Sequence, residues 1–590
     1  MVVENLPDTH YVRLHAAGKV STLNLRFVDL QKGKLLKLNT VRVNPNRPFH
    51  FSLTRFVFFL SVSYFIYVFL PSSRIYKWRL SMAHKAQLIL TIFSMLVLSA
   101  ILFAISRLAE PEKMFSGTYL TQDGGFINDS NQYNHVANAL LRGHAYLDLN
   151  VPRWLAHMKN PYDAGLRLYY GQSTGEQSYW DYAFFNGKYY SYFGVFPVIV
   201  AFIPFKLLTG HDLRTDYAVV AFAVLFVIGA FYFLYALLKK YFDKTSFGMY
   251  ILSAITLVVG GSGFTQVFLP KIYSLPILAS LTVTTFGLGL WLRSFRANAR
   301  FTKAMLFFGA LCIALNLLCR PQFILSAFLA FPIFWEQIKK RLFFSQRGVW
   351  NTLAVIAPFF CVGIPAMWYN KIRFESFFDF GATYNLTGFD MVHHSRTIMR
   401  APSGLWMYLF QPLNISPNFP YIFTVDIPHG FMGTFIMEPY FGGFLVFTPI
   451  AFAILLAIPF KRVMHTQKNA LLVSGCVVCA FLLLFLDSAL VGVNSRYFGD
   501  FGWLLIVAAI IVIQNLLDQW SETETIPSSG VGAITYTVKA AWLRNFALCT
   551  FLWTVLLYSL NLLSQGRYYA LISSNDTVYR AVESWSLAFQ

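Results

Sequence analysis

Apolar runs of roughly 17 to 25 residues recur along this chain, each long enough to cross about 30 Å of hydrocarbon as a helix. A backbone in lipid must satisfy its own amides, so such runs can span only as helices or as closed barrels. They lie near 51–70, 86–107, 216–238, 246–261, 273–293, 302–318, 321–337, 350–369, 444–460, 469–489, 500–517 and 542–562. The pattern predicts an all-α polytopic membrane protein with about 12 transmembrane helices. Only 13% of residues are charged and 56% are hydrophobic, whereas a soluble domain is about a quarter charged. The formal net charge of +20 does not point to nucleic acid, because the basic residues fall in short clusters between apolar runs, as in cytoplasmic membrane loops.

Those clusters set a topology. Arg74, Lys77, Arg79 and Lys85, then Lys239/Lys240/Lys244, Arg293/Arg296/Arg300/Lys303, Lys339/Lys340/Arg341/Arg347 and Lys461/Arg462/Lys468 all fall inside if residues 192–208 do not cross. That segment is short and holds Pro197 and Pro204, which fits an interfacial or re-entrant helix. The chain then divides into a polar segment 1–50, two spans over 51–107, a first outer loop 108–215, membrane helices over 216–369, a second outer loop 370–443, membrane helices over 444–562 and an outer tail 563–590. Residues 490–500 fall on the same outer side. Alternation in 1–50 reads as short strands of a small β-rich module, although its many basic residues favour the inside. A hairpin at 51–70 would reconcile them. The six cysteines lie in or at the ends of apolar runs and read as small core residues, the CxxC of Cys476 and Cys479 lacking a companion pair.

The first outer loop is richer in aromatic, acidic and amide groups than a connector needs. Asp129 stands a short stretch beyond the 86–107 run, where it or Ser130 could cap a helix starting near Gln132. The following segment is amphipathic, with Val136, Leu140 and Leu141 on one stripe. Lying on the membrane surface, it would hold Asp129 at the height of a lipid headgroup, where a carboxylate can act as general base. Asp123, in TQDGGF, is the second choice. For phosphate, Arg320 between two apolar runs is a costly charge at depth, with a snorkelling arginine as the alternative. Pro321 should break the helix there and aim the guanidinium outward. Arg496 in NSRYFGD and Lys188 in NGKYY are further candidates, with Asp487 as a pairing partner for such a cation. Flat aromatic and polar side chains suited to a sugar or acceptor are Trp180, Asp181, Tyr189 and Tyr190 in the first loop, Asp379, Tyr384 and Asp390 in the second, and Glu438 in MEPYFGGF. For most of these aromatics a membrane-interface belt is the better account. His393 and His394 beside Asp390 lack a third ligand at helical spacing, which weighs against a metal site.

A membrane helix, an outer loop opening on an Asp, and amphipathic juxtamembrane helices resemble the GT-C superfamily of glycosyltransferases, which includes protein O-mannosyltransferases and the lipid A aminoarabinose transferase. NPYD, WDYAFFNGKYYSYFGVFP, RFESFFDFGATYNLTGFDM and NSRYFGDF are similar to segments of bacterial cell-envelope members. The resemblance runs from about Phe51 onward, with motif detail in the first loop. It implies the GT-C fold, a polyprenyl-phosphate sugar as donor, Asp129 as catalytic base and Lys188 as the loop lysine. It also implies a membrane-lipid partner, a glycan, teichoic-acid-like or protein acceptor, and an active site on the extracytoplasmic face of the plasma (inner) membrane. No cofactor is required, although a divalent cation could assist. Many members carry paired acids where this chain has Asn128 and Ser130 beside Asp129. The rival expectation is a lipid-linked glycan flippase without transferase activity, and a weaker one is a surface scaffold. No P-loop, GxGxxG, HExxH or GxSxG stands in a supporting context, which disfavours an ATP-driven pump.

Overall fold

The computed structural model describes residues 19–25, 41–43, 51–108, 117–121, 123–295, 299–393, 398–425, 436, 438–460, 469–524, 533–564 and 575–586. Among these, seven helices are long and apolar enough to cross a membrane: α1 (Lys85–Ser106), α2 (Thr215–Tyr241), α3 (Ser274–Arg293), α4 (Gln346–Phe374), α5 (Ala470–Leu490), α6 (Ser495–Gln519) and α7 (Val538–Leu563). They are the helices of a multi-pass membrane protein. The other five predicted runs are helical but shorter or broken. Leu53–Val68 and Phe247–Gly260 are single helices of 16 and 14 residues. Ala299–Ala314 tightens into a 3-10 turn at Leu315–Leu318. The 321–337 and 444–460 runs each contain a nine-residue 3-10 stretch, Pro321–Leu329 and Pro449–Ala457. Both stretches begin at a proline, which has no N–H to bond backward and fixes its own φ.

The bundle is organised around α6. Every residue from Phe498 to Leu517 is buried, and a helix apolar on all sides and enclosed on all sides is a core helix. It packs against α5, while α2 packs along α3. By contrast α1 and α4 expose apolar faces, with Ile89, Phe93 and Leu96 on one and Trp350, Phe360, Ile364 and Trp368 on the other, as surfaces turned to hydrocarbon should.

Three segments outside the long helices bear on the topology. The segment 192–208 forms a short helix, Val198–Thr209, that enters through a wide π-type turn and stops at Gly210 in the left-handed conformation (φ 74°). Most of the predicted N-terminal β module lies outside the described residues, and residues 19–25 and 41–43 contain no strand. The tail beyond α7 carries an unforeseen helix, Asp576–Ser586, tied to the rest by Asn575 Nδ2 donating to Leu108 O (3.1 Å) and by Trp585 against Phe58 (5.5 Å).

The first long loop is a folded module. Strands β1 (Thr118–Leu120) and β2 (Phe126–Asp129) are antiparallel, and β3 (Ser178–Tyr179) runs parallel to β2. A hairpin, β4 (Ala183–Phe185) and β5 (Lys188–Tyr190), turns on Asn186 and Gly187, both at positive φ. Helices Gln132–Leu141, Arg153–His157 and Ala164–Thr174 complete it. Its two ends are pinned together, because Arg107 at the end of α1 and Arg214 before α2 each lie 3.0 Å from Asp216 Oδ2.

Candidate functional site

Asp129 ends β2 and is not a helix cap. The helix starts after Asn131, whose own side chain makes no capping bond. Asp129 Oδ1 instead accepts from Asn131 N–H at 2.8 Å. Its Oδ2 accepts from the Tyr182 hydroxyl (3.0 Å) and from His135 Nε2 (2.8 Å). The Asp129 side chain is 0% exposed, whereas that of His135 is 28% exposed. Burial first, then the nearby Asp129 charge, pushes the Tyr182 phenol well above its usual range, so it remains a donor. Burial and Asp129 likewise push Tyr179 up. The neighbourhood is fixed from below: Thr215 Oγ1, at the head of α2, donates to Ser130 O (2.7 Å), and Asn134 Nδ2 donates to Leu213 O (2.9 Å).

Beside this centre the second long loop docks on the first. Asp181, in the left-handed region at φ 59°, accepts on Oδ1 from Asn385 Nδ2 (3.1 Å) and on its carbonyl from Gln132 Nε2 (3.2 Å). Backbone bonds join Asp181 N to Leu386 O and Leu386 N to Tyr182 O. Asp390 accepts from Asn160 Nδ2 (2.8 Å) and from His393 Nδ1 (2.8 Å). Burial raises the Asp390 carboxyl, but the bonds from Asn160 and His393 outweigh it and hold the group at about 2. Arg167, fully buried, stacks over Phe126 (5.3 Å) and donates to Thr387 O (2.5 Å). Burial draws it down to about 10 against the pull of Tyr189 and Asp181, so it stays charged at neutral pH.

Two of the three predicted phosphate cations, Arg320 and Arg496, are gathered at the heads of the bundle helices. Arg320 lies in an extended residue (φ −140°, ψ 97°) between the two 3-10 stretches, a break immediately before Pro321. Its guanidinium points inward: Nε donates to Asp500 Oδ2 at 2.9 Å, Nη2 reaches the same oxygen, and Gln322 Nε2 adds a bond at 3.3 Å. Arg496 Nη1 pairs with Glu438 Oε1 at 3.0 Å. Tyr497 couples the two arginines, its ring lying 4.7 Å from the Arg320 guanidinium and 5.1 Å from that of Arg496. Arg496 also stacks on Tyr273 (4.4 Å). Asp487, near the end of α5, is buried beside Asp500 and Arg320, so it joins this cluster.

The loop module sits directly on that cluster. Tyr133 donates to Ile272 O (3.1 Å), and Phe193 packs edge-on against Tyr273 (5.7 Å). Gly194 lies so close to the Arg320 break that a Cβ there would fall 2.1 Å from Leu318 O, so only glycine fits. Lys271, next to Ile272, is buried with its ammonium 3.5 Å from the Tyr119 hydroxyl of β1.

Other predicted residues take different places. Asp123 is spent in the exposed β1–β2 turn, accepting from Gly125 N–H (3.1 Å) and Thr121. Lys188 is exposed at the hairpin, 3.9 Å above the Tyr146 ring, so it does not join Arg320 and Arg496. Tyr189 is buried among Tyr179, Tyr182 and Phe184, and Tyr190 packs on Phe374 (5.4 Å). Tyr384 stacks on Phe374 (5.5 Å), and Asp379 closes a turn onto Gly381 N–H (2.7 Å). Trp180, half-buried, packs on Phe126 (4.9 Å). Sequence reasoning missed His135, Tyr182, Arg167 and Lys271. Only Lys271 carried a signal, as the single charge between Lys244 and Arg293. Among the described residues no three His, Cys, Asp or Glu side chains gather where they could hold a metal ion; His394 lies outside the described residues.

No family model, curated protein or solved structure matches this chain.

Proposed function

We propose that the chain is an integral membrane glycosyltransferase of GT-C type. It moves a sugar from a polyprenyl-phosphate donor to a cell-envelope acceptor on the extracytoplasmic face of the plasma membrane. The observation that carries this reading is a juxtaposition: a loop module with an acid–base group at Asp129 stands on the paired arginines Arg320 and Arg496, with a buried lysine, Lys271, against its strand β1. Transfer from a phosphate-linked sugar needs both parts. A base must take the proton of the attacking hydroxyl or amine, and fixed positive charge must meet the negative charge that grows on the departing phosphate. Guanidinium groups suit phosphate oxygens because they donate in a planar fork. The phosphate is a good leaving group, so one inverting displacement suffices without a strong general acid.

Arg320 and Arg496 already face carboxylates. A donor phosphate therefore has to take over part of that pairing. The acceptor stays open between a glycan, a teichoic-acid-like polymer and a protein. The test is release of polyprenyl phosphate from a panel of tritiated polyprenyl-phosphate hexoses and pentoses by the full chain in lipid nanodiscs. Release with a labelled product supports the reading, and no release from any donor removes it.

One observation favours a second reading, a lipid-linked glycan flippase. Asp487 and Asp500 are buried within helices of the bundle, where transporters concentrate such groups. Translocation of an intact labelled donor without bond cleavage distinguishes it.

A further inference from the structure

We propose that His135 takes the proton from the acceptor nucleophile, with Asp129 and Tyr182 as its positioning residues. This rests on the transferase reading above and assigns the acid–base step within it. Asp129 is poorly placed to meet an acceptor itself. Its Oδ1 is occupied by Asn131 N–H, its Oδ2 by Tyr182 and His135, and its side chain is wholly buried. Three of the roughly four lone-pair positions of a carboxylate are thus filled. His135 is the partly exposed member of the group. Because its Nε2 faces a carboxylate, that nitrogen carries the hydrogen in the neutral ring, which leaves the lone pair on Nδ1. No described residue hydrogen-bonds Nδ1.

The ring is also held in place. Helix Gln132–Leu141 begins directly after Asn131, whose N–H is tied to Asp129 Oδ1, and His135 N–H donates to Asn131 O (3.0 Å). Tyr182 remains protonated, so it steadies Asp129 without competing for the proton. A buried carboxylate behind an imidazole orients the ring and stabilises the imidazolium that forms.

In the step, the acceptor O–H or N–H proton passes to His135 Nδ1. The electron pair of that bond forms the new bond to the anomeric carbon. The bond from that carbon to the phosphate oxygen breaks, and its electrons leave on polyprenyl phosphate. The imidazolium, facing Asp129, then returns its proton to water.

The test uses the full chain in nanodiscs with the tritiated donor panel and measures released polyprenyl phosphate. His135→Gln keeps an N–H for Asp129 but cannot accept a proton. His135→Ala opens a space for added imidazole. The expected result is a loss of about 100-fold or more in both variants, with imidazole restoring part of the rate to His135→Ala and none to Asp129→Asn. A His135→Gln rate within about threefold of the parent, beside an inactive Asp129→Asn, assigns the proton to Asp129 and overturns the proposal while the transferase reading stands. Loss in both His135 variants without imidazole rescue marks a purely structural bridge and also overturns it. No release by the parent chain removes the transferase reading, and this step with it.

Discussion

Asp129 in the loop module and Asp500 at the head of α6 are both buried carboxylates, but they meet different partners. Asp500 faces the guanidinium of Arg320, with Gln322 beside it. Asp129 faces a backbone amide, a phenol and an imidazole. A guanidinium keeps its charge at every accessible pH, so the Asp500 pair fixes position and field. An imidazole can both give up and take up a proton at its ring nitrogens, so the Asp129 group can pass a proton. The fold separates the two tasks, placing charge that must stay in the bundle and charge that must move in the docked loop.

Breaking the fixed pair should have the largest effect. Arg320→Ala leaves Asp500 buried without its cation, a loss of about 3–5 kcal/mol, read as a lowered melting temperature and folded yield in detergent. The double change Arg320→Met with Asp500→Leu should recover most of the stability yet release no polyprenyl phosphate. If the double variant turned over normally, the cluster would not serve phosphate.

On the proton-passing side, Tyr182→Phe removes one hydrogen bond to a carboxylate, about 1.5–3 kcal/mol. Release should slow by less than in His135→Gln, and the melting temperature should fall modestly. A smaller effect is expected at the seam between loops. Asn385→Ala withdraws the donor to Asp181 Oδ1, about 1.5 kcal/mol for a bond to a carboxylate, and should speed proteolytic nicking of the second loop without changing the yield of folded chain.

The smallest effect is a pH dependence. Asp390 is held at about 2 by Asn160 and His393, below the carboxylate value of about 3.9 in an unfolded chain. A lowered folded-state value contributes stability that is complete above the unfolded value and is lost as pH falls toward 2. Nicking near Asp390 should therefore rise between about pH 4 and 2, and Asp390→Asn should remove that rise. Asp390 is partly exposed, so the effect is small.

The helices were the most legible part of the chain. Every apolar run is helical, because length and hydropathy act locally. Their completeness was not legible: the prolines at 321 and 449 turn two runs into 3-10 stretches, and only the packed bundle decides which segments stay long. Arg320 was readable as a lone charge at a proline break, and the structure gathers Arg320, Arg496, Asp487 and Glu438 as one cluster. Its inward aim depends on Asp500, 180 residues away. Asp129 was readable as the loop acid, but its burial was not, since that comes from Tyr182, which is 53 residues along the chain. His135 gave no signal, because a histidine six residues from an aspartate has no meaning until a strand turns into a helix between them. The aromatics misled in the usual direction: Tyr189 and Tyr190 carry the core of the module.

The most direct test compares the parent chain with Asp129→Asn at equal folded amounts in nanodiscs, measuring polyprenyl phosphate released from tritiated polyprenyl-phosphate sugars. The account predicts release by the parent and a rate lower by about 100-fold or more in the variant. Equal rates would contradict it.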